Sequence, residues 1–324
     1  AAGREKPFFM YLAYIAPHFP LQAWPEDIDK YRGKYSQGYE YYRNQRFEKQ
    51  KRLGILPADT NLSPADLDDW KSVEDKKKED LKMAVYAAQV DRMDQNIGRL
   101  IESLEDQDEL DNTLILFLSD NGAANTGLDE FPEAELGSRN SWTAYGQSWA
   151  NVSNTPYRKF KAMTHEGGII TPLIVHWPGQ IKNPGTWERS PGHLVDIMAT
   201  VLEVSGAEYP EREGLQPLQG RSLVPLFKGA AREEHEELYF VFNNCRALRK
   251  GDWKVVSFYG NPWELYNLAT DRFEQHDLAG EFPSLVEELS RRWHKMAQST
   301  DLLPGHKRKP VKDSPCLLYT SDAA

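Results

Sequence analysis

Apolar and polar residues alternate along this chain in two rhythms, one near 3.6 residues and one continuous or two-residue. Phe8 to Ala13 is an unbroken apolar run that reads as a buried strand. It closes at Pro17-His18-Phe19-Pro20, a turn, because proline interrupts both ladder and helix. Residues from about 25 to 80 are charged and tyrosine-rich, with Ser63-Pro64 ahead of a predicted short helix. From Leu81 to Leu104 the positions Leu81, Val85, Ala88, Met93, Ile97, Leu100, Ile101 and Leu104 repeat at helical spacing, which predicts a long amphipathic helix.

Asp111-Asn112 then marks a turn, and Thr113 to Leu118 is a continuous apolar run that suits a parallel strand buried on both faces. A second such strand, Pro172 to His176, follows Glu166-Gly167-Gly168. His193 to Ser205 is again helical, with Gly206 where a C-terminal cap belongs. Helices alternating with buried strands predict an α/β fold, a central mixed or largely parallel sheet sandwiched by helices. After Gly229 the rhythm shortens. Leu238–Phe242, Arg246–Lys250, Trp253–Phe258 and Trp263–Tyr266 are strand-like runs separated by turns such as Lys250-Gly251-Asp252, and an antiparallel meander fits them. Pro283 opens a helix to about Met296. The predicted organisation is a large domain over 1–229, a small antiparallel α+β domain over 230–300 and a tail over 301–324.

Composition narrows the function. The 324 residues are 40% hydrophobic, enough for one large and one small core, and the formal net charge is −10. An acidic surface argues against nucleic acid, which needs a clustered basic face, but leaves room for a small anion at a locally positive site. No stretch approaches the ~20 apolar residues of a membrane span. Two cysteines, Cys245 and Cys316, imply no disulfide framework. The chain starts without a methionine, and its last nine residues, Cys316 to Ala324, resemble a translated sequencing adapter. It is therefore expected to be a fragment broken at both ends.

Ligands of an open α/β sheet bind beyond the carboxyl ends of its strands, where Ser119-Asp120-Asn121-Gly122 stands. A carboxylate beside a carboxamide offers two hard oxygens suited to Ca²⁺ or Mg²⁺, although the same residues also make a favoured tight turn. His18 alone reads as a turn histidine, and Lys161 as one solvated lysine among basic neighbours. Trp142, Tyr145 and Trp149 read equally as an aromatic wall for a substrate ring or as core. His165, His176 and His193 read as structural, and Glu74 to Asp80 as a solvated charged face.

Taken in order, several stretches carry a resemblance. They are Pro7-Phe-Phe-Met-Tyr-Leu-Ala-Tyr-Ile-Ala-Pro-His-Phe-Pro20, Tyr86 to Leu100, Leu118-Ser-Asp-Asn-Gly122, and Asn154-Thr-Pro-Tyr-Arg-Lys-Phe-Lys-Ala-Met-Thr-His-Glu-Gly-Gly168. Thr171 to Pro178, His193-Leu-Val-Asp-Ile-Met198 and Leu218-Gln-Gly-Arg-Ser-Leu223 complete the set. Any one is weak, but the succession resembles the formylglycine-dependent sulfatases of the bacterial arylsulfatase type, within the alkaline phosphatase-like superfamily. The resemblance implies that residues 1–229 are the C-terminal portion of the catalytic domain. It implies Asp120 and Asn121 as metal ligands, with calcium the usual ion and magnesium the alternative. Lys161 matches the lysine that contacts the sulfate, and His18 the histidine that reaches the sulfate near the leaving oxygen. Metal, lysine and histidinium suit a transition state that spreads negative charge over sulfuryl oxygens. Asp120 is also implied to orient or deprotonate the nucleophile.

The nucleophile itself is absent. No Cys/Ser-x-Pro-x-Arg motif occurs, and Cys245-Arg-Ala-Leu-Arg249 lacks the proline and sits in the small domain, where it reads as a strand cysteine. The first metal carboxylate pair and a Lys-x-His pair are missing too, so the formylglycine is expected in an N-terminal part outside this chain, and the fragment alone is expected to be inactive. The expected substrate is a small sulfate ester or sulfated glycan, and the resemblance points to the periplasm or the cell exterior. The rival readings are a phosphodiester or phosphonate monoester hydrolase of the same superfamily and a non-catalytic anion-binding relative. Neither the natural substrate nor the oligomeric state is legible.

Overall fold

A computed structural model describes residues 7–300 apart from residues 211 and 259. The tail, with its adapter-like end and Cys316, lies outside the described residues. The elements run α1 (Pro25–Asp29), α2 (Tyr39–Arg52), α3 (Lys76–Glu105), β1 (Ile115–Leu118), α4 (Gln147–Ser153), α5 (Glu166–Ile169), β2 (Leu173–His176), α6 (Val195–Ser205), α7 (Val224–Phe227), β3 (Leu238–Phe242), β4 (Cys245–Lys250), β5 (Trp253–Phe258), β6 (Glu264–Asn267) and α8 (Pro283–Ser299). They fall into two compact units. Over the described residues, one comprises 7–38, Asp69–Glu102 and Thr126–Gly146, and the other comprises Tyr39–Asp68, Ser103–Asn125 and 147–300.

The first unit is organised by α3, whose predicted stripe supplies Val85 and Ala88, both without exposure, joined by the neighbouring Ala84, which is also fully buried. Leu21, Ile28 and Tyr145 are buried in the same unit, and the Tyr145 and Tyr86 rings meet edge to face with centroids 5.0 Å apart. A buried carboxylate, Asp27, is neutralised by Lys30 at 2.8 Å and Arg92 at 2.6 Å. Two expectations fail here. The charged run ending at Asp80 is only partly a solvated face, because Asp80 is buried and accepts the Gly33 and Tyr35 amides at 2.8 and 2.6 Å. Phe8 to Ala13 is not a buried strand. It pairs with no strand among the described residues, and Tyr11 is 84% exposed. An extended segment becomes a strand only when another strand takes its backbone donors and acceptors.

The second unit holds both sheets. β3-β4-β5-β6 is the predicted antiparallel meander, with Leu248 opposite Val255 and Val255 opposite Leu265. Those three side chains point to one face, where α8 lays Leu289, Trp293 and Ala297 against them. Alternation places Ala247, Val256 and Tyr266 on the other face. Proline in the first turn starts α8, and Gly206 in the left-handed region ends α6, as predicted. Cys245 is a buried residue of β4.

The second sheet corrects the expected parallel strand. β1 pairs with β2 antiparallel, Leu116 opposite Val175 and Phe117 opposite Ile174. One face of this pair packs Leu114, Leu116, Val175 and Trp177 on α7, while Phe117 and Ile174 on the other are 40% and 60% exposed. The short helix expected after Ser63-Pro64 reduces to a single turn of 3₁₀ helix at Trp70–Ser72. The α/β class stands.

Candidate functional site

The loop that leaves β1 carries Asp120 and Asn121 and is bound at several points to the segment around Lys161. The Gly122 amide donates to Gly168 O at 3.0 Å, and the Lys161 amide to Ala123 O at 2.9 Å. Asn154 bridges the two: its Oδ1 accepts the Ala123 amide at 2.9 Å, and its Nδ2 donates to Lys159 O at 3.0 Å. Thr171 adds a hydroxyl to Ser119 O at 2.8 Å. Glycine is required where these backbones touch. A Cβ on Gly122 would overlap the Gly167 carbonyl, and one on Gly167 the carbonyls of Arg158 and Lys159.

Asp120 is exposed, and its carboxylate accepts no hydrogen bond from the described residues. Asn121 spends its Nδ2 on Gly122 O at 2.9 Å, which leaves its Oδ1 for another donor or a cation. Two hard oxygens on adjacent residues fit calcium or magnesium in kind. They fall short of calcium's 6–8 ligands in number. Consistently, no group of three or more His, Cys, Asp or Glu able to hold a metal occurs among the described residues.

Lys161 stands in a loop whose backbone is strained on both sides, with Lys159 at φ +64° and Ala162 at φ +73°. Its neighbour Lys159 pairs with Asp66 at 2.9 Å. The structure thus brings Asp120, Asn121 and Lys161 into one interlocked pair of segments. His18 belongs to the other unit, where its Nδ1 lies 2.7 Å from Phe19 O and its amide donates to Ile15 O.

The aromatic wall does not form as such. Trp149 is fully buried, edge to face with Tyr39 at 4.7 Å, and Tyr145 is core, leaving only Trp142 exposed. His193-Leu-Val-Asp and Gly220-Arg221 also prove structural. Asp196, without exposure, accepts the His193 and Arg221 amides at 2.8 Å each, Arg232 Nη1 at 3.1 Å and His235 Nε2 at 2.7 Å. Burial pushes the Asp196 carboxyl up, but these donors outweigh it and hold it below the ordinary range.

A group of charges behind Lys161 escaped the sequence reading. Lys254 of β5, with no exposure, lies 2.7 Å from Glu166 Oε1 and 2.8 Å from Glu274 Oε1. Burial pulls its ammonium down, and the two carboxylates more than restore it, so it stays above its ordinary value. His165 Nε2 lies 3.1 Å from Glu264 Oε2, which also accepts the Tyr266 hydroxyl at 2.5 Å. Burial raises the Glu264 carboxyl, while His165 and Tyr266 overcome that and hold it at about 2. The signal in the sequence is a lysine inside a mostly apolar strand.

Comparison with known proteins adds a family context. The model of the sulfatase family matches residues 1–207, and that of the C-terminal region of N-sulphoglucosamine sulphohydrolase matches residues 157–299. An uncharacterized sulfatase of Schizosaccharomyces pombe is 35% identical over 90% of this chain and 58% of its own length. The arylsulfatase of Klebsiella aerogenes is 35% identical over 74% of this chain and 55% of its own. Among solved structures, Ps i-CgsB in complex with k-i-k-neocarrahexaose superposes with a TM-score of 0.60 at 25% identity, covering 92% of this chain and 52% of that one. The chain therefore spans a little over half the length of these relatives.

Proposed function

This chain belongs to the sulfatase family, and on that premise we propose that the whole protein hydrolyses sulfate esters. The observation that carries the proposal is the interlocking of the Asp120-Asn121 loop with the Lys161 segment through the Gly122 and Lys161 amides. It ties the backbone that carries two hard oxygen donors to the backbone that carries one ammonium, and this supports the reading because charge stabilisation at a sulfuryl group calls for such groups together.

The family implies a metal and a formylglycine in general. Asp120 and Asn121 are the residues of this chain that would hold the metal, calcium or magnesium, and the metal would supply charge stabilisation for the sulfuryl oxygens. Lys161 binds the sulfate and neutralises charge as it grows on the ester. His18 binds near the ester oxygen and supplies a proton to the departing alcohol. Asp120 also orients the nucleophile's hydroxyl, which lies outside this chain. A sulfated sugar is the substrate class best supported, by analogy with Ps i-CgsB and its bound k-i-k-neocarrahexaose. The proposed compartment is the periplasm or the cell exterior. Among the described residues no helix is long and apolar enough to cross a membrane.

The test is the full-length protein assayed on an aryl sulfate, a sulfated carrageenan oligosaccharide and the matching aryl phosphate. Sulfate release that chelation abolishes and calcium restores is expected. Turnover of the phosphate with no sulfate release overturns the proposal.

A further inference from the structure

Lys161 is placed from outside its own loop. On the N-terminal side of the loop, Arg158 donates to Glu274 O and reaches the Tyr266 hydroxyl at 3.4 Å. On the C-terminal side, His165 meets Glu264, the Glu166 amide donates to Glu274 Oε2 at 2.7 Å, and Glu166 Oε1 takes Lys254 at 2.7 Å. Each of these partners lies on β5, β6 or the turn that follows. The register puts Lys254 opposite Tyr266, on the sheet face away from α8. The meander is thus covered on one face by a helix and on the other by the loop that carries Lys161. This explains the unbroken burial of Lys254 to Ser257, where a surface strand would alternate.

An apolar contact would cover that face more cheaply, because burying three charges carries a desolvation cost that their attraction does not reliably exceed. Ion pairs with backbone amides as partners differ from apolar contacts in fixing position and register. The loop they hold is backbone-strained at Lys159 and Ala162, a conformation that persists only when its surroundings over-determine it.

We infer that Glu166, Lys254 and Glu274 are positioning residues: they clamp both ends of the Lys161 loop to the meander and so set the lysine against the Asp120-Asn121 loop. The region after Gly229 is on this account a working part of the site. The link to catalysis rests on the sulfatase reading, but the clamp itself does not.

Amide hydrogen exchange on this chain separates the two. Glu274→Gln is expected to speed exchange at the Lys161 and Gly168 amides about 10-fold more than at Trp293, which lies on the opposite sheet face. Lys254→Met, which keeps the length of the side chain and leaves both carboxylates without their counter-charge, is expected to speed the same two amides as Glu274→Gln does. A uniform rise across all three amides would make the cluster a plain stability element and overturn the inference, as would no change at Lys161. Should Glu274→Gln fail to fold, exchange of the unmutated chain against denaturant decides. The clamp requires Lys161 to open together with Val255 of β5, and an earlier, separate opening of Lys161 contradicts it. No turnover is needed, so an inactive full-length protein would count against the sulfatase reading and leave the clamp standing.

Discussion

The meander and the β1–β2 pair are both strongly apolar, yet they end in opposite states. In the meander, Leu248, Val255 and Leu265 have no exposure because α8 brings Leu289, Trp293 and Ala297 to them. In the pair, α7 covers Leu116 and Val175 while Phe117 and Ile174 face outward. On that face the meander's neighbours come from the next 60 or so residues of the same chain. The full cover of β1 and β2 is not found among the described residues, in a chain that spans a little over half of its relatives. A continuous apolar run therefore announces a strand meant for burial without naming what buries it.

The largest expected effect lies in the closed core. Trp293→Ala should cost about 3–5 kcal/mol in denaturant unfolding, because it empties the contact between α8 and three strands. Ile174→Ala, at 60% exposure, should cost under about 1 kcal/mol. Equal losses at the two positions would break the comparison. Next comes the interlocked loop. Gly122→Ala drives a methyl into the Gly167 carbonyl and should cost about 1–3 kcal/mol, whereas Gly280→Ala, with open space around it, should be near neutral.

The smallest effect is one of pH, because the Glu264 side chain is 36% exposed and solvent screens its pairing. Glu264 is held at about 2 against an ordinary 4.5, so its pairing with His165 and Tyr266 contributes stability that is fully present above about 4.5. That contribution is lost as pH falls from 4.5 toward 2. Glu264→Gln should flatten the stability profile in that window and leave the profile above it unchanged. Unfolding free energies measured from pH 2 to 7 in both proteins check it.

Much of the fold was legible because its signals are local. Gly206, Pro283 and the Lys250-Gly251-Asp252 turn each fix a boundary through their own backbone preferences. What escaped depends on partners distant in sequence. Helix α2 was missed because its buried stripe runs Tyr39, Arg43, Phe47, and Arg43 is buried only by virtue of Ser63, whose carbonyl and hydroxyl it meets at 2.7 and 2.8 Å. The direction of β1 against β2 is likewise a long-range fact. In the candidate site, Asp120, Asn121 and Lys161 are singled out by a motif succession, and the interlocking of their two segments was not legible. Lys254 and Glu274 were not legible, since a charged residue looks exposed until its counter-charges are found.

The most direct test of the account compares the two lysines of one loop. In the full-length protein, Lys161→Ala should lower kcat/KM for an aryl sulfate by about 100-fold or more, as loss of a charge-stabilising group does. Lys159→Ala, which removes only the pair with Asp66, should stay within a few fold. Equal losses in the two variants, or full activity with Lys161 removed, would contradict the assignment of Lys161 to the sulfate.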